Sequence, residues 1–261
     1  MLATFCVRLA LGLLACLLLL LPARQLHPRF FRTHFLTALG LLVVATLSAW
    51  PEAGDWLRGL LAAGTVLALV GALSWTLDPA PAGRVLIVLT SLTLTGALWL
   101  LHPPESWTFY TPNSTHTLPG RSLLALAGDL TSAALLGTAV TAMLIGHSYL
   151  IAPGMSLAPL MRLLAALGVA ILLRAIVAGI GLWCWTGTVA TYTLNNETVL
   201  WLPVRWLVGV VAPLVFGGMA YASARIRSTQ SATGILYVAV VCGFLGELLS
   251  LLLTRQTGLP L

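Results

Sequence analysis

Lysine is absent from this sequence, and all thirteen of its basic residues are arginine. Charge of either sign is scarce, at 8% of 261 residues, with seven acids in all. A soluble domain covers its surface with roughly a quarter to a third charged residues, so most of this chain does not face water. Also missing are a Walker motif, a dinucleotide-binding fingerprint, an HExxH helix and a serine nucleophile with a base nearby. Their absence removes the usual phosphate-cradling, hydride-transfer and zinc-peptidase chemistries. The four cysteines, Cys6, Cys16, Cys184 and Cys242, show no CxxC spacing. They read as small buried apolar residues rather than metal ligands.

What remains is apolar sequence, 59% of the chain, with a mean hydropathy of +0.99. Runs of about twenty apolar residues, each long enough to cross a bilayer, recur throughout. Eight are drawn, at 3–22, 33–50, 56–76, 84–101, 121–150, 158–183, 203–224 and 231–253. The fold class is therefore all-α: a polytopic membrane bundle, with residues 1–261 as one integral membrane domain. The first run resembles a secretory signal, but Arg24, Arg29 and Arg32 follow it and no small-x-small cleavage site appears. It reads as an uncleaved first span with the N-terminus outside.

Arginine placement supports that orientation. Segments after odd-numbered spans hold Arg24, Arg29, Arg32, Arg84, Arg162, Arg225 and Arg227, and those on the other side hold Arg58, Arg121, Arg205 and Arg255. Positive residues favour the cytoplasmic side, which places both termini outside. The net charge of +6 is thus topology rather than nucleic-acid affinity. Tryptophan divides the other way: Trp50, Trp56, Trp99, Trp107, Trp183, Trp185, Trp201 and Trp206 fall outside and only Trp75 inside. That excess points to an aromatic-lined pocket or a partner surface. The outer loop from His102 to Gly120 reads as an ordered lid. Asn113 and Asn196 begin glycosylation-type tripeptides, a pattern frequent by chance.

Charge within a span is costly and needs a partner or a wet cavity. Asp129, Arg174 and Glu247 lie well inside the fifth, sixth and eighth spans. At 1.5 Å rise per residue their depths agree within roughly 5 Å. Arg205, at the outer start of the seventh span, could join them. The expectation is that Arg174 pairs with Asp129, Glu247 or both inside the bundle. Such a group can be a registry-fixing ion-pair knot or a polar cavity in which a carboxylate handles protons. His147 lies 18 residues beyond Asp129 and returns to the same face of the fifth helix. With His34 it is the only inner-side histidine pair on helices, but neither is deep in a span, which argues against haem b. The hydroxyls at Ser228, Thr229, Ser231 and Thr233, facing Ser148 and Tyr149, suit helix capping or a weaker polar ligand site.

The stretch Ile235 to Leu249, with its Gly246-Glu247-Leu248 ending, resembles the last helix of membrane-anchor subunits of the DMSO-reductase and polysulfide-reductase type. His147, Pro153 and Arg162 are loosely similar to that family's His-Leu-Gly-Arg-Pro loop, though the adjoining Gly-Arg is missing. The resemblance implies an eight-helix quinol-binding subunit without haem, partnered by iron–sulfur and catalytic subunits. Asp129 and Glu247 would then handle protons, Arg174 and Arg205 would orient a quinone headgroup, and Trp183 and Trp201 would wall its ring. The membrane would be a cell membrane of the bacterial inner type. Two alternatives use the same residues: a solute or ion transporter, and a structural assembly subunit. A transporter of the inverted-repeat kind should show matched helix interruptions in two halves. Pro213 with Gly209, Gly217 and Gly218 supplies one, without a mate.

Overall fold

A computed structural model describes residues 1–21, 26–77, 81–101, 109–111, 114–116, 121–151, 154–189, 196–257 and 259–261. Arg24, His102, Trp107, Asn113 and Pro153 lie outside them. The elements are α1 (Leu2–Leu20), α2 (Pro28–Ala49), α3 (Asp55–Leu77) and α4 (Pro81–Leu101), then strands β1 (Phe109–Thr111) and β2 (Ser114–His116). There follow α5 (Arg121–Ile151), α6 (Ala158–Val189), α7 (Asn196–Trp206), a π-helical turn (Leu207–Val211), α8 (Ala212–Arg225) and α9 (Thr229–Thr257). Eight of these segments are long and apolar enough to span a bilayer, α7 and α8 counting as one through the π turn. Of the lid expected at 102–120, the described part is an antiparallel ladder pairing Tyr110 with Thr115.

Several helix ends differ from the hydropathy reading. The first helix stops at Leu20, and α2 starts at Pro28 rather than 33. The earlier start has a local cause: His27 Nδ1 accepts the backbone N–H of Arg29 at 3.2 Å, and Pro28 occupies the first turn. Proline is pre-set for that position and loses no hydrogen bond there. The π turn marks the one interruption legible in the sequence. A proline ring inside a regular helix collides with the carbonyl four residues earlier, which here is Gly209. The widened turn, with Ala212 N–H bonding to Leu207 O, relieves that collision.

The helices close two rings. In the first, α1, α2, α3 and α4 pack in succession and α4 returns to α1; in the second, α5, α6, α8 and α9 do the same. The pairing of α1 with α5 joins them. At this seam a Cβ on Gly12 would lie 1.9 Å from Ala133 O, and one on Gly137 would lie 2.1 Å from the Gly12 carbonyl carbon. Only glycine permits such backbone approach, and close approach is what binds helices when lipid competes equally for apolar side chains. As the member of the first ring that packs on the second, α1 is 78% buried across its span, against 28% for α4. Elsewhere leucine, valine and isoleucine face outward, as at Leu47 (71% exposed) and Ile176 (58%). This is the surface of a multi-pass membrane protein. Most span hydroxyls bond back to their own helices, as Thr65 does to Leu61 O at 2.8 Å, and so need no partner in lipid.

Candidate functional site

Glu247 lies on α9 one residue beyond Gly246, whose backbone rests on Gly209 of the π turn. A Cβ on Gly246 would stand 2.1 Å from Gly209 Cα. This contact sets the carboxylate against the seventh span. Arg174, from the middle of α6, meets Glu247 with two parallel bonds: Nε to Oε1 at 2.8 Å and Nη2 to Oε2 at 3.1 Å. The fork matches the carboxylate plane, the strongest form such a pair takes. Ser132, one turn beyond Asp129 on α5, donates to Glu247 Oε2 at 2.6 Å. Arg205 brings Nη2 to 3.6 Å from Oε1. All these side chains are essentially inaccessible, with Arg174 and Glu247 at 0%.

Arg174 thus takes Glu247, and a residue absent from the expected set takes Asp129. Arg8, six positions into α1, brings Nη2 to 2.5 Å and Nε to 2.7 Å from Asp129 Oδ1. Its Nη1 reaches Ser132 Oγ at 3.5 Å and lies 3.6 Å from Glu247 Oε2. The spans hold four charged residues at this depth besides Arg205, not three. The sequence signal for Arg8 was its charge inside an otherwise uninterrupted apolar run, the same signal that marks Asp129, Arg174 and Glu247.

The segment after α9 completes the cluster. Leu259 and Leu261 are buried (1% and 0% exposed). Pro260 fits where two glycines leave room: a Cβ on Gly128 would fall 2.8 Å from Pro260 Cβ, and one on Gly181 2.5 Å from Pro260 O. Arg174 Nη2 donates to Ser250 Oγ at 2.5 Å, and Ser250 donates to Leu261 O at 2.5 Å. Arg205 Nε reaches the same oxygen at 3.3 Å. Nothing in hydropathy announces this role for Ser250 or for the tail.

The cluster brings three guanidiniums onto the two side-chain carboxylates of Asp129 and Glu247. Arg174 Nη1 and Arg205 Nη1 have no hydrogen-bond partner among the described residues. At low local dielectric each charge here strongly biases its neighbours. The arrangement can hold carboxylates ionised, bind an acceptor oxygen, or fix helix registry. Trp183 is 82% exposed on α6, turned away from this interior, and Trp201 is half-buried on α7. Removing Arg205 from the exposed arginines sharpens the charge division between the ends of the bundle.

His147 does not join the cluster, since α5 carries it to the other end. There it lines a cavity of about 590 Å³ together with His34, on the first turns of α2. His34 and His147 therefore line one cavity. No group of three metal-ligating side chains occurs among the described residues. No protein-family model matches the chain, nor does any curated protein or solved structure.

Proposed function

We propose that the chain is an integral membrane subunit of a redox complex, working with quinone or quinol near the outer face of a bacterial inner membrane. Asp129 and Glu247 exchange protons with the bound ring, and Arg174 and Arg205 hold its oxygen. Both termini lie on the non-cytoplasmic side, and partner subunits complete the assembly. One observation carries the reading: two carboxylates enclosed by three guanidiniums where charge is expensive to maintain. Arginine donors without hydrogen-bond partners among the described residues add to it, because a quinone carbonyl is an acceptor they can use. Trp183, facing outward, would serve at a partner or lipid contact. The test is the quinone content of protein purified in mild detergent, with turnover of its complex measured for Asp129→Asn. Retained quinone and turnover reduced at least tenfold support the reading; no quinone and unchanged turnover reject it.

A second reading is favoured by the completeness of burial. Both Glu247 oxygens are occupied, and the tail covers Ser250. A structural knot of this kind fixes helix registry without chemistry. Under it, joint replacement of Arg8 and Asp129 by Gln and Asn preserves the activity of the complex. A transporter using the same cluster would instead move solute in liposomes containing this chain alone.

A further inference from the structure

The end of the bundle away from the termini is strongly basic. Among the described residues, the segments and helix starts there carry Arg29, Arg32, Arg84, Arg162, Arg225 and Arg227 and no acid. Among the described residues, the opposite end, outside the buried cluster, carries Arg58, Arg121 and Arg255 against Glu52, Asp55 and Glu197. Into the basic end opens the cavity of about 590 Å³ between the start of α2 and the end of α5. Phe30 and Leu144 give it apolar wall, and His27, Arg29, His34 and His147 give it polar groups.

His34 is the informative member. It is 1% exposed, and its Nδ1 lies 2.9 Å from Phe30 O. A carbonyl has no proton to give, so Nδ1–H is the donor, and Nε2 of the neutral ring carries a lone pair. Nε2 has no partner among the described residues. Tied back to its own helix through Nδ1, the ring presents its acceptor away from α2. At the mouth the chemistry is reversed. His27 uses Nδ1 to accept the Arg29 N–H, which leaves Nε2–H to donate beside the exposed Arg29 guanidinium. The cavity therefore asks for a ligand with an anionic oxygen at its rim, a hydroxyl donor further in, and an apolar body.

We propose that this cavity binds the headgroup of an anionic phospholipid bearing a free hydroxyl, with phosphate on Arg29 and His27 and hydroxyl on His34 Nε2. Position supports a lipid over a soluble phosphate: the cavity lies where two membrane-spanning helices end, beside outward-facing apolar side chains. Basic pockets between helix ends are where anionic headgroups collect. The proposal is independent of the quinone reading, which concerns the other end.

The experiment is native mass spectrometry of the full-length protein released from nanodiscs. The lipids are phosphatidylglycerol, phosphatidylmethanol (the same charge without the hydroxyl) and phosphatidylcholine. Wild type should retain phosphatidylglycerol about tenfold better than phosphatidylmethanol, as one buried hydrogen bond allows, and phosphatidylcholine least. His34→Phe should erase the first preference alone, while Arg29→Gln, an exposed change that leaves the fold intact, should weaken both anionic lipids. Equal retention of all three lipids by wild type, or an unchanged preference in His34→Phe, overturns the proposal. So does full displacement by soluble glycerol phosphate, which would make the ligand a free phosphate. A Soret band in the purified protein would assign Nε2 to haem iron and overturn it as well.

Discussion

The two ends of this bundle treat charge in opposite ways. At the end of the termini, Arg8, Arg174 and Arg205 are withdrawn from solvent and each lies within 3.6 Å of a carboxylate oxygen. At the far end Arg29 and Arg32 stand exposed without a carboxylate partner among the described residues. The same residue type is thus a structural element in one place and a surface charge in the other. The difference lies in geometry: Gly246 against Gly209, and Gly12 against Gly137, draw backbones close enough for side chains from α1, α5, α6 and α9 to meet. At the far end the helix ends leave a cavity.

That contrast can be broken most severely at the glycines. Gly246→Val places side-chain carbon inside the Gly209 backbone, which cannot give way, and we expect almost no folded protein by size-exclusion chromatography. Recovery at wild-type yield would show that the approach does not hold the cluster together. Next in size is Glu247→Ala, which leaves Arg174 and Arg205 buried without their carboxylate. Breaking a buried pair costs about 3–5 kcal/mol, readable as a large fall in the midpoint of thermal unfolding in detergent. A fall no larger than that of an exposed substitution would mean water reaches the site. At the small extreme is Arg58→Ala. Its pairing with Asp55 at 3.5 Å is exposed, and such pairs contribute little; the midpoint should not move. A clear drop would erase the distinction between buried and surface charge.

Part of this was legible beforehand. Asp129, Arg174 and Glu247 shared a depth because rise per residue is constant, and depth is one-dimensional information that a sequence carries. Who pairs with whom needs helix rotation and neighbours, and these depend on the α1–α5 seam. Hence the expectation left Arg174 to Asp129, Glu247 or both, and only the structure shows that it takes Glu247 while Arg8, outside the expected set, takes Asp129. The interruption around Pro213 was visible, but that it takes the form of a π turn carrying Arg205 inward was not. The burial of Leu259 to Leu261 depends on Gly128 and Gly181 far away in sequence, which no local pattern reveals. His34 and His147 were recognised as a pair on one side, and the cavity between them required coordinates.

The most direct measurement is a double-mutant cycle on Arg8 and Asp129, using Arg8→Gln, Asp129→Asn and both together, read as unfolding free energy in one detergent. Side chains in contact within one network couple by about 0.5–3 kcal/mol, and a buried 2.5 Å pair belongs near the top of that range. Each single change is expected to be strongly destabilising, and the second to cost little once the first is made. Strictly additive effects would contradict this, because Arg8 would then not be the partner that allows Asp129 to lie inside the membrane.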